Sequence, residues 1–175
     1  MSESITIRKI TVSDINDLQK IGKQTFTETF AEVNTEANMN KYLADGFSIE
    51  KLSIELNNPD AYFFFAELNN KAIGYLKLNI GASQTELKDK TALEIERIYV
   101  LKEFHGKSVG QLLYQKAIEV AKEKQMKYVW LGVWEENKRA ISFYTKNGFV
   151  AFDTHVFVLG EEAQTDIMMK LALAY

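Results

Sequence analysis

The 175-residue chain is 46% hydrophobic and carries 21 Lys and Arg against 24 Asp and Glu, for a net charge of -3. That size and apolar content suit one core, so a single domain over residues 1–175 is expected, and the mild negative balance argues against a nucleic-acid partner. With no run near the ~18 apolar residues of a membrane span, no secretory pattern in MSESITIRKI and no cysteine, the chain reads as cytoplasmic, without a membrane partner, disulfides, thiolate metal sites or a cysteine nucleophile.

In chain order, ITIRKI alternates as a half-buried strand does. TVSDINDLQKIGKQTF follows with Ser13 or Asp14 as N-cap before the helical spacing of Ile15, Leu18 and Ile21. From Phe26 to Leu56 the pattern is helical in patches, broken at ADGFS, with the single proline, Pro59, at its exit. AYFFFAEL and KAIGYLKLNI, joined through NNK, predict a hairpin, and GASQTELKDK a polar loop.

TALEIERIYVL alternates strictly, which predicts a strand with Glu94, Glu96, Ile98 and Val100 on one face and Ile95, Arg97 and Tyr99 on the other. After HGKSVG, the residues Val109, Leu112, Leu113, Ala117, Val120 and Ala121 form a helical stripe that must pack on a sheet. KYVWLGVW reads as a buried strand with Trp130 and Trp134 on one face as core. Its Gly132 signals a bulge, a close backbone approach or plain packing. ENKRAISFYTKNGF is a short helix ended by Asn147 and Gly148, and VAFDTHVFVLG with TDIMMKLAL a closing pair of strands. The strand-helix-strand run from Thr91 to Trp134 is a crossover and pairs its strands in parallel, while the hairpins make the rest antiparallel. The fold class is a mixed α/β sheet.

Charge is uneven along the chain. Seven acids face two lysines between Thr25 and Asp60, and nine bases face five acids between Lys102 and Lys146. By itself this pattern is more often two solvated helix faces; it also suits a cationic substrate meeting an anionic cofactor, with the acidic stretch as acceptor wall.

The glycine-bearing turn before the long helix is a natural anion site, because a helix N-terminus presents unpaired N–H groups and the positive end of its dipole. It is not a nucleoside-triphosphate loop, which would need glycine where Leu101 stands, nor a dinucleotide fingerprint, since Gly106 and Gly110 are four apart. The run His105-Gly106-Lys107-Ser108-Val109-Gly110 resembles the phosphate loop of the GCN5-related N-acetyltransferases, a glutamine or arginine followed by x-x-G-x-G or x-x-G-x-A. His105 and Ser108 depart from that form, and serine is the costlier residue where φ is positive. NKRAISFYTKNGF matches the later family motif at Asn137, Ala140, Phe143, Tyr144, Gly148 and Phe149. The opening IRKITVSDINDLQKI and the acidic strand LEIERIYV are similar as well. RIYVLKEFHGK, WLGVWEENKRAISFY and GEEAQTDIMMK further resemble the PaiA-type polyamine acetyltransferases.

The resemblance implies a mostly antiparallel, twisted sheet with splayed parallel central strands flanked by helices. It implies acetyl-coenzyme A as cosubstrate and no metal; His105 and His155 alone are a poor ligand set. Its pantetheine arm would follow the backbone of Ile98, Tyr99 and Val100. The diphosphate would rest on the amides of Gly106, Lys107, Ser108, Val109 and Gly110, with His105 near. Asn137 and Phe143 would meet the pantetheine, and Lys146 a phosphate. An alkylamine with a pKa of about 10.4 must lose a proton before it attacks a thioester. The implied base is Glu94 or Glu96, either of which also suits the cationic amine, and the implied proton donor to the leaving sulfur is Tyr144. A strand amide near Ile98 or Tyr99 would meet the negative oxygen. The activity implied is acetyl transfer to a small cationic amine, foremost spermidine or spermine. Another amine (amino acid, drug or protein N-terminus) and a non-catalytic coenzyme-A-binding regulator are the alternatives, and monomer and homodimer both stay open.

Overall fold

The computed structural model describes residues 4–159 and 161–175. Seven strands form one sheet: β1 (Thr6–Lys9), β2 (Ala61–Leu68), β3 (Lys71–Ile80), β4 (Ala92–Val100), β5 (Tyr128–Trp134), β6 (Val150–Leu159) and β7 (Glu162–Ala172). Their order is β1-β2-β3-β4-β5-β7-β6. Only β4 and β5 pair in parallel; the other neighbours are antiparallel. The expected mixed sheet with a parallel centre is therefore present. The β2–β3 hairpin turns through Asn69 and Asn70 with φ of 52° and 62°, the left-handed pair that a two-residue turn between twisted strands demands.

Helices α1 (Ile15–Phe30), α2 (Glu36–Gly46) and α3 (Ile49–Asn57) cover one face, and α4 (Val109–Glu123) and α5 (Lys138–Lys146) the other. Thr35 and Ser48 start α2 and α3 by accepting hydrogen bonds from the N–H groups of Asn38 and Lys51, both at 3.1 Å. The apolar stripe of α4 packs with Leu76, Leu78, Leu93, Ile95 and Val129 in one core. Leu18, Ile21, Phe26 and Leu52 pack with Phe63, Phe65 and Tyr75 in the second.

Two features of β4 position the site. Its pairing with β5 runs only from Ala92 with Tyr128 to Ile95 with Leu131, and beyond that the strands part. Its pairing with β3 skips a residue: Lys77 faces Arg97 but Leu78 faces Ile95, which makes Glu96 a bulge. The bulge overturns the strict alternation read from the sequence. Ile98 and Val100 join Ile95 in the α4 core, while Glu94 and Glu96 share the opposite face with Arg97 and Tyr99. One extra residue reverses the side-chain order after it, and an alternating string of letters does not show where that happens. Gly132 marks no bulge either, since the β5–β7 register runs unbroken through it.

Candidate active site

Where β4 and β5 part, a cleft of about 950 Å³ opens through the sheet. Most residues expected at a site line it: Glu94, Glu96, Ile98, Tyr99 and Val100 from β4; His105, Gly106, Ser108, Val109 and Gly110 from the turn into α4; Asn137, Phe143 and Tyr144 around α5. Lys107 and Lys146 do not. Both are exposed; Lys107 Nζ lies over the Phe104 ring at 5.5 Å, and Lys146 ends α5.

Leu101 N–H donates to Ile73 O of β3 at 2.9 Å, so by strand alternation Ile98 and Val100 turn their backbone groups toward the gap that β5 has left. Val100 O is met by His105 Nε2 at 2.9 Å. Arg139 Nη1 contacts His105 Nδ1; because arginine only donates, Nδ1 accepts and Nε2 carries the hydrogen. His105 thus braces the strand end against the turn and α5. Arg139, which sequence reading passed over, supplies positive charge at the helix mouth, and of the nine bases between Lys102 and Lys146 it alone lines the cleft.

At that mouth Gly106 has φ of +79° and Ser108 φ of +64°, so the turn demands left-handed backbone twice, once from a residue with a side chain. Ser108 makes no side-chain cap to α4. The first backbone bond of the helix runs from Leu112 N–H to Ser108 O at 3.2 Å, which leaves the N–H groups of Val109, Gly110 and Gln111 directed outward. A Cβ added at Gly106 or Gly110 would meet nothing within 4 Å, so the cradle is open. These outward donors, the Arg139 charge and the strand edge that β5 leaves, taken by His105 at Val100 O, fit a diphosphate joined to a chain of amides. Ser108→Gly is expected to raise stability by about 1 kcal/mol, roughly 2–4 °C in Tm by thermal unfolding.

On the α1–α3 side the two glutamates differ sharply. Glu94 is 3% exposed; Asn79 Nδ2 and Thr85 N–H donate to its Oε1 at 2.9 and 2.8 Å, and Thr85 Oγ1 to its Oε2 at 2.5 Å. Burial outweighs these bonds and holds its carboxyl above the usual range. Glu96 receives Lys77 Nζ on both oxygens at 3.0 and 3.1 Å, Asn79 Nδ2 at 3.0 Å and Arg97 Nε at 3.1 Å. Burial pushes its carboxyl up too, but Arg97 and Lys77 together carry it below the usual range. Glu55 on α3 completes the network, 3.3 Å from Arg97 and 3.5 Å from Lys77.

The Tyr144 ring is buried against Phe143 and Phe149, at centroid distances of 5.5 and 5.7 Å, and burial raises its phenol well above the ordinary value. Its hydroxyl bonds no described residue. Asn137 Oδ1 caps α5 by accepting from Ala140 N–H at 3.2 Å, which leaves its amide NH2 for a ligand.

The rest of the cleft departs from the acidic wall suggested by charge counting. The stretch from Thr25 to Asp60 lends it the rings of Phe26, Phe30, Tyr42 and Phe47, with Glu55 as its one acid there. The other carboxylates come from the sheet and from the loop before β4: Glu86, Glu94, Glu96 and Asp166. That loop, read as merely polar, is anchored through Gln84, whose Oε1 accepts from Trp130 Nε1 at 2.7 Å. Its grip on Glu94 joins residues that no local pattern connects. Among the described residues no three His, Asp or Glu side chains are grouped as metal donors, and no helix is long and apolar enough to cross a membrane.

The acetyltransferase (GNAT) family model matches residues 22–149, and the chain belongs to that family. It is 37% identical to an uncharacterized N-acetyltransferase of Lactobacillus delbrueckii subsp. lactis, over 97% of this chain and 98% of that one. It is 30% identical to the spermidine N(1)-acetyltransferase of Thermoplasma acidophilum, over 86% of this chain and 91% of the other. The crystal structure of the PaiA N-acetyltransferase from Thermoplasma acidophilum in complex with coenzyme A superimposes with a TM-score of 0.81 at 28% identity, covering 97% and 99% of the two chains. The chain is accordingly an acyltransferase, an N-acetyltransferase with acetyl-coenzyme A as its cosubstrate.

Proposed function

We propose that the acceptor is a polyamine of the spermidine class, acetylated on a primary amine by direct attack on the thioester. The observation that carries this reading is the acceptor side of the cleft. Aromatic rings surround carboxylates there, and one of these, Glu94, is held by burial at an elevated pKa rather than neutralised by a cation. Ring faces and carboxylates together suit an alkylammonium. The name of the Thermoplasma relative points the same way.

Bound acetyl-coenzyme A supplies an activated acetyl group. Val109, Gly110 and Gln111 N–H groups with Arg139 hold its phosphates, and the Ile98 and Val100 backbone with the Asn137 amide orients its arm. Glu94, held by Asn79 and Thr85, takes the proton that the attacking ammonium must lose, directly or through water. As the N–C bond forms and the C–S bond breaks, Tyr144 gives its proton to the departing sulfur. Glu96 is too firmly paired for either duty and serves to fix Arg97 and Lys77. Lys51, which also lines the cleft, favours a second reading in which the acceptor bears a carboxylate beside its amine, as an amino acid does.

Thiol release measured across a panel of amines decides between them. Spermidine and spermine are expected to exceed amino acids, aminoglycosides and peptide N-termini in kcat/KM by about tenfold or more. Preference for an amino acid would replace the polyamine by the second reading.

A further inference from the structure

Of the carboxylates that line the cleft and take no part in the acetyl transfer, Glu55, Glu86 and Glu96 have side-chain partners, and Asp166 is bonded by no described residue. Asp166 on β7 stands opposite Trp134 of β5 and His155 of β6, and the β5–β7 register puts it on the same face as Gly132 and Trp130. Trp130 is in turn the parallel partner of Glu94, so both carboxylates look into the same side of the cleft. Asp166 leans back over Gly132: a Cβ built on that glycine would lie 3.6 Å from its Oδ2. The missing side chain leaves room beside the carboxylate, which a Cβ there would touch at van der Waals distance.

The Asp166 carboxylate is half-buried and receives no hydrogen bond from a described residue. His155, its cross-strand neighbour, turns Nε2 to Glu86 Oε1 at 2.6 Å instead. Lys170, two pleats along β7, holds its ammonium over the Phe152 ring at 5.1 Å. Burial lifts the Asp166 carboxyl above its usual range, against the opposing pull of His155. A half-buried carboxylate that its own chain does not pair is costly unless a cation arrives from outside. Tyr42, Trp134 and Phe157 line the same cleft with faces that attract one.

We propose that Asp166 binds a second ammonium group of the acceptor, so that the enzyme selects diamines and polyamines over monoamines. This rests on the polyamine reading and adds the residue that measures the substrate. Asp166 Oδ2 lies beside Gly132, two residues along β5 from Trp130, the parallel partner of Glu94. A diamine can then meet the two carboxylates with one nitrogen each, across a short alkyl spacer.

The test compares 1,3-diaminopropane and 1,4-diaminobutane with propylamine and butylamine, on the wild-type enzyme and Asp166→Asn. The wild-type kcat/KM ratio of diamine to monoamine is expected to be about tenfold or more, and to fall close to one in the variant, mainly through KM. The calorimetric Kd of 1,4-diaminobutane for the free enzyme weakens by a similar factor. Gly132→Ala, which fills the space above Oδ2, lowers the ratio in the same way and carries the test if Asp166→Asn fails to bind coenzyme A. A diamine preference that survives both substitutions overturns the role of Asp166 alone. A wild-type enzyme without that preference removes the polyamine reading and the second ammonium site together.

Discussion

Tyr144→Phe is expected to lower kcat by about 10²- to 10³-fold while KM for acetyl-coenzyme A stays within about threefold. The split follows from where the hydroxyl stands. The ring packs on Phe143 and Phe149, contacts that phenylalanine keeps, whereas the hydroxyl bonds no described residue and in the proposed reaction meets only the departing sulfur. Because burial raises the phenol, Tyr144 stays protonated across the neutral range, which suits the proposed donor role and not that of a base. Steady-state rates of thiol release measure both constants, and thermal unfolding should place the variant near the wild type. An unchanged kcat would take Tyr144 out of the reaction.

Glu94→Gln is the second large effect, a loss of about 10²-fold in kcat at neutral pH. An amide fits the same bonds: its oxygen accepts from Asn79 and the Thr85 N–H, and its NH2 donates to Thr85 Oγ1, so the fold should persist. The pH dependence separates a base from a mere contact. With Glu94 raised by burial, the wild-type rate should fall on the acid side at a pH above the ordinary carboxylate range, and the variant should lose that limb. Stability runs the other way. The folded state holds this proton more tightly than the unfolded chain, so the contribution is full below the unfolded pKa and is lost as pH rises through the folded one. The Tm of Glu94→Gln should therefore gain on the wild type as pH rises above about 4, the unfolded carboxylate range. A wild-type acid limb retained in the variant would assign the base elsewhere.

The elements were legible because their signals are local. Alternation in IRKI and TALEIERIYV, the stripe of α4, the Asn69-Asn70 turn and the Asn147-Gly148 stop each need only neighbouring residues. The crossover between β4 and β5 implied a parallel centre, and the sheet has one. The candidate residues on β4, at the α4 mouth and around α5 were readable as motifs, and all but Lys107 and Lys146 line one cleft. The bulge at Glu96 was not readable, because a bulge depends on the strand opposite. Nor was the pairing of Glu96 with Lys77 and Arg97, of Glu94 with Thr85, or of His105 with Arg139. Counting acids from Thr25 to Asp60 misled, since net charge does not say which side of a helix each acid takes; the inward side is aromatic.

By itself the amino-acid order determined the sheet, its crossover and the loop that offers amides to an anion, since periodicity, turn chemistry and helix ends act over a few residues. Only the tertiary structure decided which of two glutamates on one strand keeps an elevated pKa, which base stands at the helix mouth, and that Asp166 meets an open space above Gly132. Those properties come from burial and from partners tens of residues away, and an electrostatic environment exists only once the chain has packed.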